Sequence, residues 1–229
     1  MLTFPSLLLP NAGGYVANPK TISGGQSIGG LEQVVTSLND RWAASYRFPA
    51  NRNDRILALR AFILGMRGRS GTVALPAFDK SRAPWPLVNG VAQTPKIRRR
   101  PTLDGTPYAD PPSLVDQLII ARTAAAAAAM DIQLTIAMTL GSAPQPGHLF
   151  SLGTRLYAVT SVAGAGPFVC GIWPSLRFDA AASTVVNFTS PVCEMRFSSD
   201  GEGADAMKAL DQLRFGAVTL NFDEAAIST

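Results

Sequence analysis

The chain has 229 residues, 47% hydrophobic and 16% charged, which excludes an intrinsically disordered protein and allows one large β domain or two small ones. Its formal net charge of +4 is too mild to make nucleic acid the expected partner. Of its 20 basic residues 16 are Arg, the cation best suited to planar contacts at interfaces.

The first segment, MLTFPSLLLPNAGG, carries no basic region, and Pro5 and Pro10 break its apolar run, so no secretory leader is expected. Up to about Pro49 the pattern is extended, interrupted at Ser23-Gly24-Gly25 and Gly29-Gly30, with strands expected at Leu31–Val35 and Arg41–Phe48. Trp42, Tyr46 and Phe48 share one parity, which gives the second of these an aromatic face of the kind a half-buried strand presents. A helix follows over 53–66. Asn53 is the expected N-cap, Asp54 suits the positive end of the helix dipole, and Ile56, Leu59, Ile63 and Met66 recur at helical spacing. Gly65 or Gly68 offers its stop, and Gly71–Pro76 reads as a strand leaving it.

Residues 79–112 are rich in Pro and turn formers and poor in apolar periodicity, which suits an extended arm or an insertion with a hairpin of its own. Strands resume at Leu114. The alanines Ala124–Ala129 have helical propensity, but the strand-like Leu118–Ile120 before them and Leu134–Ile136 after them favour strand, with a turn near Met130-Asp131. Leu118–Leu140 is the longest apolar candidate for a membrane span, and Arg122 and Asp131 interrupt it. Further strands are expected at Leu149–Leu152, Leu156–Val162, Phe168–Trp173, Thr184–Phe188, Val192–Phe197 and Leu213–Phe222. Such even spacing without intervening helices predicts a mainly β chain, an antiparallel sandwich or barrel with one packed helix and a long Pro-rich arm. The expected parts are 1–78, 79–112 and 113–229.

Chemistry is sparse. The single histidine, His148, lies in a turn after Pro144-Gln145-Pro146-Gly147, and no Gly-x-Ser-x-Gly elbow accompanies it. One His and two distant Cys, Cys170 and Cys193, do not make a zinc site, and the two thiols are expected buried and reduced. The glycines at 23–30 and 65–71 lack the Gly-Lys-Ser/Thr of a phosphate loop, so Met66–Gly71 reads as a tight connection with a solvated Arg pair. Glu194, Asp200, Glu202 and Asp205 cluster, but three of them fall in SSDGEGAD, a composition typical of a solvated loop. No enzymatic activity and no cofactor are therefore expected. The basic run Lys96, Arg98, Arg99, Arg100 has no aromatic platform beside it, which favours an arm docking on a neighbouring subunit over a grip on phosphates.

Several ordered pieces together carry a resemblance. They are Arg41-Trp42, Met66–Val73, Leu75-Pro76-Ala77-Phe78-Asp79, Pro84-Trp85-Pro86, the alanine-rich segment, Pro146–Leu152, Leu156–Val159, Ile172–Arg177 and Cys193–Phe197. This succession resembles the minor tail or distal tail (tail-tip) proteins of long, flexible-tailed bacteriophages. The resemblance implies a structural virion protein made in the bacterial cytoplasm, forming a hexameric or trimeric ring between tail tube and hub. Its partners would be itself and the tube and hub proteins, without membrane insertion. Trp85, Lys96, Arg98, Arg99 and Arg100 are the residues expected at the subunit interface. The alternative is a β-sandwich module binding host carbohydrate, with an exposed Trp85, Trp42 or Trp173 as sugar platform.

Overall fold

The computed structural model describes residues 1–26, 29–30, 32–36, 39–50, 52–79, 82–88, 91–92, 119–212 and 216–225. Two six-stranded sheets dominate it. The first contains β1 (Leu2–Thr3), β2 (Ala12–Asn18), β5 (Arg41–Pro49), β6 (Val73–Pro76), β15 (Val192–Phe197) and β16 (Ala217–Glu224). Its order is β1-β6-β15-β16-β5-β2, antiparallel throughout except that β1 runs parallel to β6. Alternation explains the buried face. Trp42, Ala44, Tyr46 and Phe48 of β5 point inward with Cys193, Met195 and Phe197 of β15 and Val218, Leu220 and Phe222 of β16.

Helix α1 (Asn53–Met66) covers that face with Leu59, Phe62, Ile63 and Met66. Phe62 stands edge-on to Phe4 at 5.4 Å and to Phe197 at 6.2 Å, so the helix is seated on an aromatic layer. Its bounds match the expectation, but its cap does not. Arg52, in extended conformation, holds the cap position without a side-chain bond, and Asn53 is already helical. Asp54 does occupy the first turn, where its carboxylate accepts the Arg55 N–H at 2.9 Å. The stop comes at Arg67 and Gly68, both left-handed (φ 51° and 67°), while Gly65 stays inside the helix. A short 3-10 turn, Gly68–Ser70, then leads to β6, with Arg67 and Arg69 exposed.

A second helix, α2 (Gly201–Gln212), corrects the expectation of a solvated loop at SSDGEGAD and of a single helix. Ala206 and Leu210, one turn apart, join the same core, and Gly203 lets α2 lie against Ile63 and Phe197. Burial of that apolar pair outweighs the poor helical propensity of Gly201 and Gly203.

The second sheet contains β9 (Ile120–Thr123), β10 (Gln133–Leu140), β11 (Leu149–Leu152), β12 (Arg155–Ala163), β13 (Phe168–Trp173) and β14 (Val185–Val186). Its order is β11-β12-β13-β10-β9-β14, and a bridge from Ser151 to Asn187 joins the two ends through a pair of 2.9 Å backbone hydrogen bonds. The sheet is thereby nearly a barrel. Its interior is filled by Phe150, Tyr157, Leu134, Ile136, Ile172 and Phe188 among others. Ala124–Ala129 is neither strand nor helix, with Ala127 making one bridge to Ala180 and the chain reversing at Met130 (φ 73°). Asp131 and Asp179 accept the Ala128 and Ala129 N–H groups at 2.8 Å each, fixing this irregular path.

Two small hairpins complete the description: β3 (Thr21–Gln26) with β4 (Glu32–Thr36), and β7 (Leu87–Val88) with β8 (Val91–Ala92). The Pro-rich arm expected over 79–112 falls largely outside the described residues.

Candidate functional site

The two sheets meet through β12, whose alternate side chains serve both cores. Tyr157 and Val159 fill the barrel, while Leu156 and Ala158 join Trp42 and Trp173 at the core of the first sheet. Trp42 and Trp173 stand edge to face at 4.6 Å, and the Trp42 indole N–H donates to the Leu156 carbonyl at 2.8 Å. Beneath them lies a buried charge junction. Arg177, just beyond β13, grips Glu224 with Nε to Oε1 at 3.2 Å and Nη2 to Oε2 at 3.1 Å, and also donates to the Asp40 carbonyl. Arg155, at the start of β12, reaches Glu194 at 3.3 Å, Glu224 at 3.7 Å and the Ala225 carbonyl at 2.6 Å. The Trp42 backbone N–H donates to Glu224 at 3.0 Å, and the Trp173 indole to Asp40 at 2.9 Å. Both guanidiniums are thus committed to carboxylates and carbonyls from the other sheet. Such a junction locks geometry, since a charge in so dry a place is tolerated only with its partners. The Tyr157 hydroxyl accepts the Arg177 N–H at 3.1 Å, and burial pushes it up to about 12, keeping it neutral.

The residues weighed for catalysis have other occupations. Burial lowers the pKa of His148, and its Nδ1 accepts the Gln145 N–H at 3.0 Å, closing the turn. Cys170 and Cys193 are free and buried, and burial pushes the Cys170 thiol up to about 11 and that of Cys193 higher. Asp200 accepts the Arg69 N–H at 2.8 Å, and Glu202 accepts Ser198 at 3.1 Å and the Asn221 amide at 3.0 Å. Asp205 pairs loosely with Lys208 on the surface. Among the described residues no three His, Cys, Asp or Glu side chains gather as a metal site, and no helix is long and apolar enough to cross a membrane.

Of the interface residues read from sequence, Trp85 is only 3% exposed and belongs to the barrel core. Lys96, Arg98, Arg99 and Arg100 lie outside the described residues. Trp42 is buried and Trp173 half-buried against it, so none of the three indoles offers the open face that sugar stacking requires.

Among the described residues, one long sheet edge has no partner strand. The barrel closes upon itself, and the β1 end of the first sheet is two residues long. At the other end β2, AGGYVAN, runs seven residues with no charge and no proline, the devices that normally protect a strand edge. Val16 on it is 57% exposed. Gly13 (φ 105°) sets its approach to β5, because a Cβ there would lie 2.0 Å from the Ser45 carbonyl oxygen. The β3–β4 hairpin rises directly from this edge, with Thr21, Ser23, Gly24, Gly25 and Glu32 exposed and its extensive pairing confined to itself. An isolated hairpin of this kind is marginal in water. Sequence reasoning read this stretch as extended and placed a strand at Leu31–Val35, but missed β2 and its edge, whose signal was the absence of Lys, Glu and Pro from an extended segment.

No known family model matches the chain, and no curated protein does.

Proposed function

We propose that the protein is a structural assembly subunit, specifically a tail-tip protein of a long-tailed bacteriophage that forms a ring with copies of itself between tail tube and hub. The observation that carries the assembly reading is the uncharged edge of β2, unpaired among the described residues, with its self-contained β3–β4 hairpin. A row of unpaired N–H and C=O groups is a template for a strand of another chain, and such pairing would also shelter a hairpin that is marginal alone. The rigid junction between the sheets supports the same reading, because a ring needs protomers that hold one shape. The tail-tip assignment rests on the sequence resemblance.

The test is the mass in solution. Light scattering should give a closed multiple of the 24.2 kDa chain, on its own or with its tube and hub neighbours. Gly14→Lys should shift that mass toward the monomer, since a Cβ at Gly14 meets nothing within 4 Å and the fold has room for the charge. A strict monomer under every condition, or a Gly14→Lys variant that assembles as well as the parent, removes the reading.

A further inference from the structure

On the outer side of the first sheet, where β2 and β16 end and β5 begins, with β15 beside β16, lies a cleft of about 530 Å³. Lys20, Arg41, Arg69 and Arg196 line it, against the carboxylates of Asp223 and Glu224. Glu224 does not balance them, because Arg177 and Arg155 already hold it. Asp223 sits opposite Arg196 in the β15–β16 register, yet no ion pair of 4.0 Å or less joins it to any of the four cations among the described residues. The Nε of Arg196 is shielded from water and has no hydrogen-bond partner. No carboxylate among the described residues pairs with the Arg196 guanidinium, which leaves its charge for an acceptor from outside them.

We propose that this cleft binds paired carboxylates from an acidic segment of a partner protein. Arg presents two parallel N–H groups that fit a carboxylate, and Arg41 and Arg196 lie to either side of Asp223 on the same face of the sheet. The four cations gather round one cleft instead of lining a track, and the aromatic ring there, Trp42, is buried with its indole N–H already bonded. Nucleic acid would call for the opposite arrangement, a cationic groove with open rings for stacking. The source of the segment, a neighbouring subunit, rests on the assembly reading; the chemistry of the cleft does not.

The experiment is fluorescence anisotropy of labelled hexaglutamate titrated with the isolated chain at low ionic strength. Saturable one-to-one binding is expected, weakening as salt rises. Arg196→Gln and, separately, Arg41→Gln should each weaken it about tenfold, with circular dichroism confirming that the variants fold. Lys208→Gln, at an exposed position of α2, should bind as the parent does. Equal affinity in all variants would reduce the effect to general attraction by net charge and overturn the proposal. Binding of oligothymidylate with the same Arg dependence, where hexaglutamate fails, would overturn it in favour of nucleic acid. Mass is read separately on the same samples: a monomer that binds the peptide keeps the cleft and loses the ring, and a ring that ignores the peptide does the reverse.

Discussion

Glu224 is 4% exposed, and its two oxygens accept Arg177 and the Trp42 N–H with Arg155 close by. Replacing it by Gln keeps the volume but takes from Arg177 the carboxylate that grips it in a dry junction, and leaves Arg155 to Glu194. Glu224→Gln should therefore cost about 3–5 kcal/mol, read as a lowered urea midpoint. None of this was legible beforehand. Arg177 and Glu224 are 47 residues apart, and Arg155 and Glu194 are 39 apart, so no local spacing announces the pairs. Sequence reasoning noticed Glu194 only as a neighbour of Asp200 and Glu202, whose bonds turn out to be separate. His148 and the two cysteines, by contrast, sit as their surroundings suggested, in a turn and in apolar strands. His148 also sets a pH dependence. Burial disfavours its charged form, so the folded protein binds fewer protons than the unfolded chain as pH falls past the ordinary value of about 6.5. Stability from this group is complete above that pH and is lost below it. A His148→Gln variant should lose less stability than the parent between about pH 6.5 and 5, measured by denaturation at each pH.

Among the elements, α1 and β5 could be read because each carries its own period. Leu59, Ile63 and Met66 repeat at helical spacing, and Trp42, Tyr46 and Phe48 alternate. Helix α2 opens with Gly201 and Gly203, residues that disfavour helix, and its apolar signal is the short pair Ala206 and Leu210. Tertiary contact decides its state. A Cβ at Gly203 would stand 3.1 Å from Ile63 Cγ2 and 3.8 Å from Phe197 Cε2. Gly203→Val should push α2 off the sheet at a cost of about 1–3 kcal/mol, with faster amide exchange across α2 than across α1. The alanine run, expected as strand, is irregular. Six good helix formers are held irregular by Asp131, Asp179 and the Ala180 bridge, contacts that no propensity contains.

At the scale of the molecule, strand periodicity announced a mainly β chain, but not its partition. Successive strands β9 to β14 close the barrel, whereas β15 and β16 leave it to pair with β6 and β5 from the first third of the chain. Only pairing over such distances distinguishes this arrangement from a simple sandwich, and periodicity is blind to distance. The central place of β16 also has a bearing on time. The first sheet has a gap between β15 and β5 until residues 217–224 emerge from the ribosome, and Glu224 arrives with them to meet Arg177 and Arg155. The barrel, made of neighbouring strands, can form well before that, while β2 and β5 wait beside it with apolar faces uncovered. Folding of the whole is thus held back until translation has nearly passed the described region.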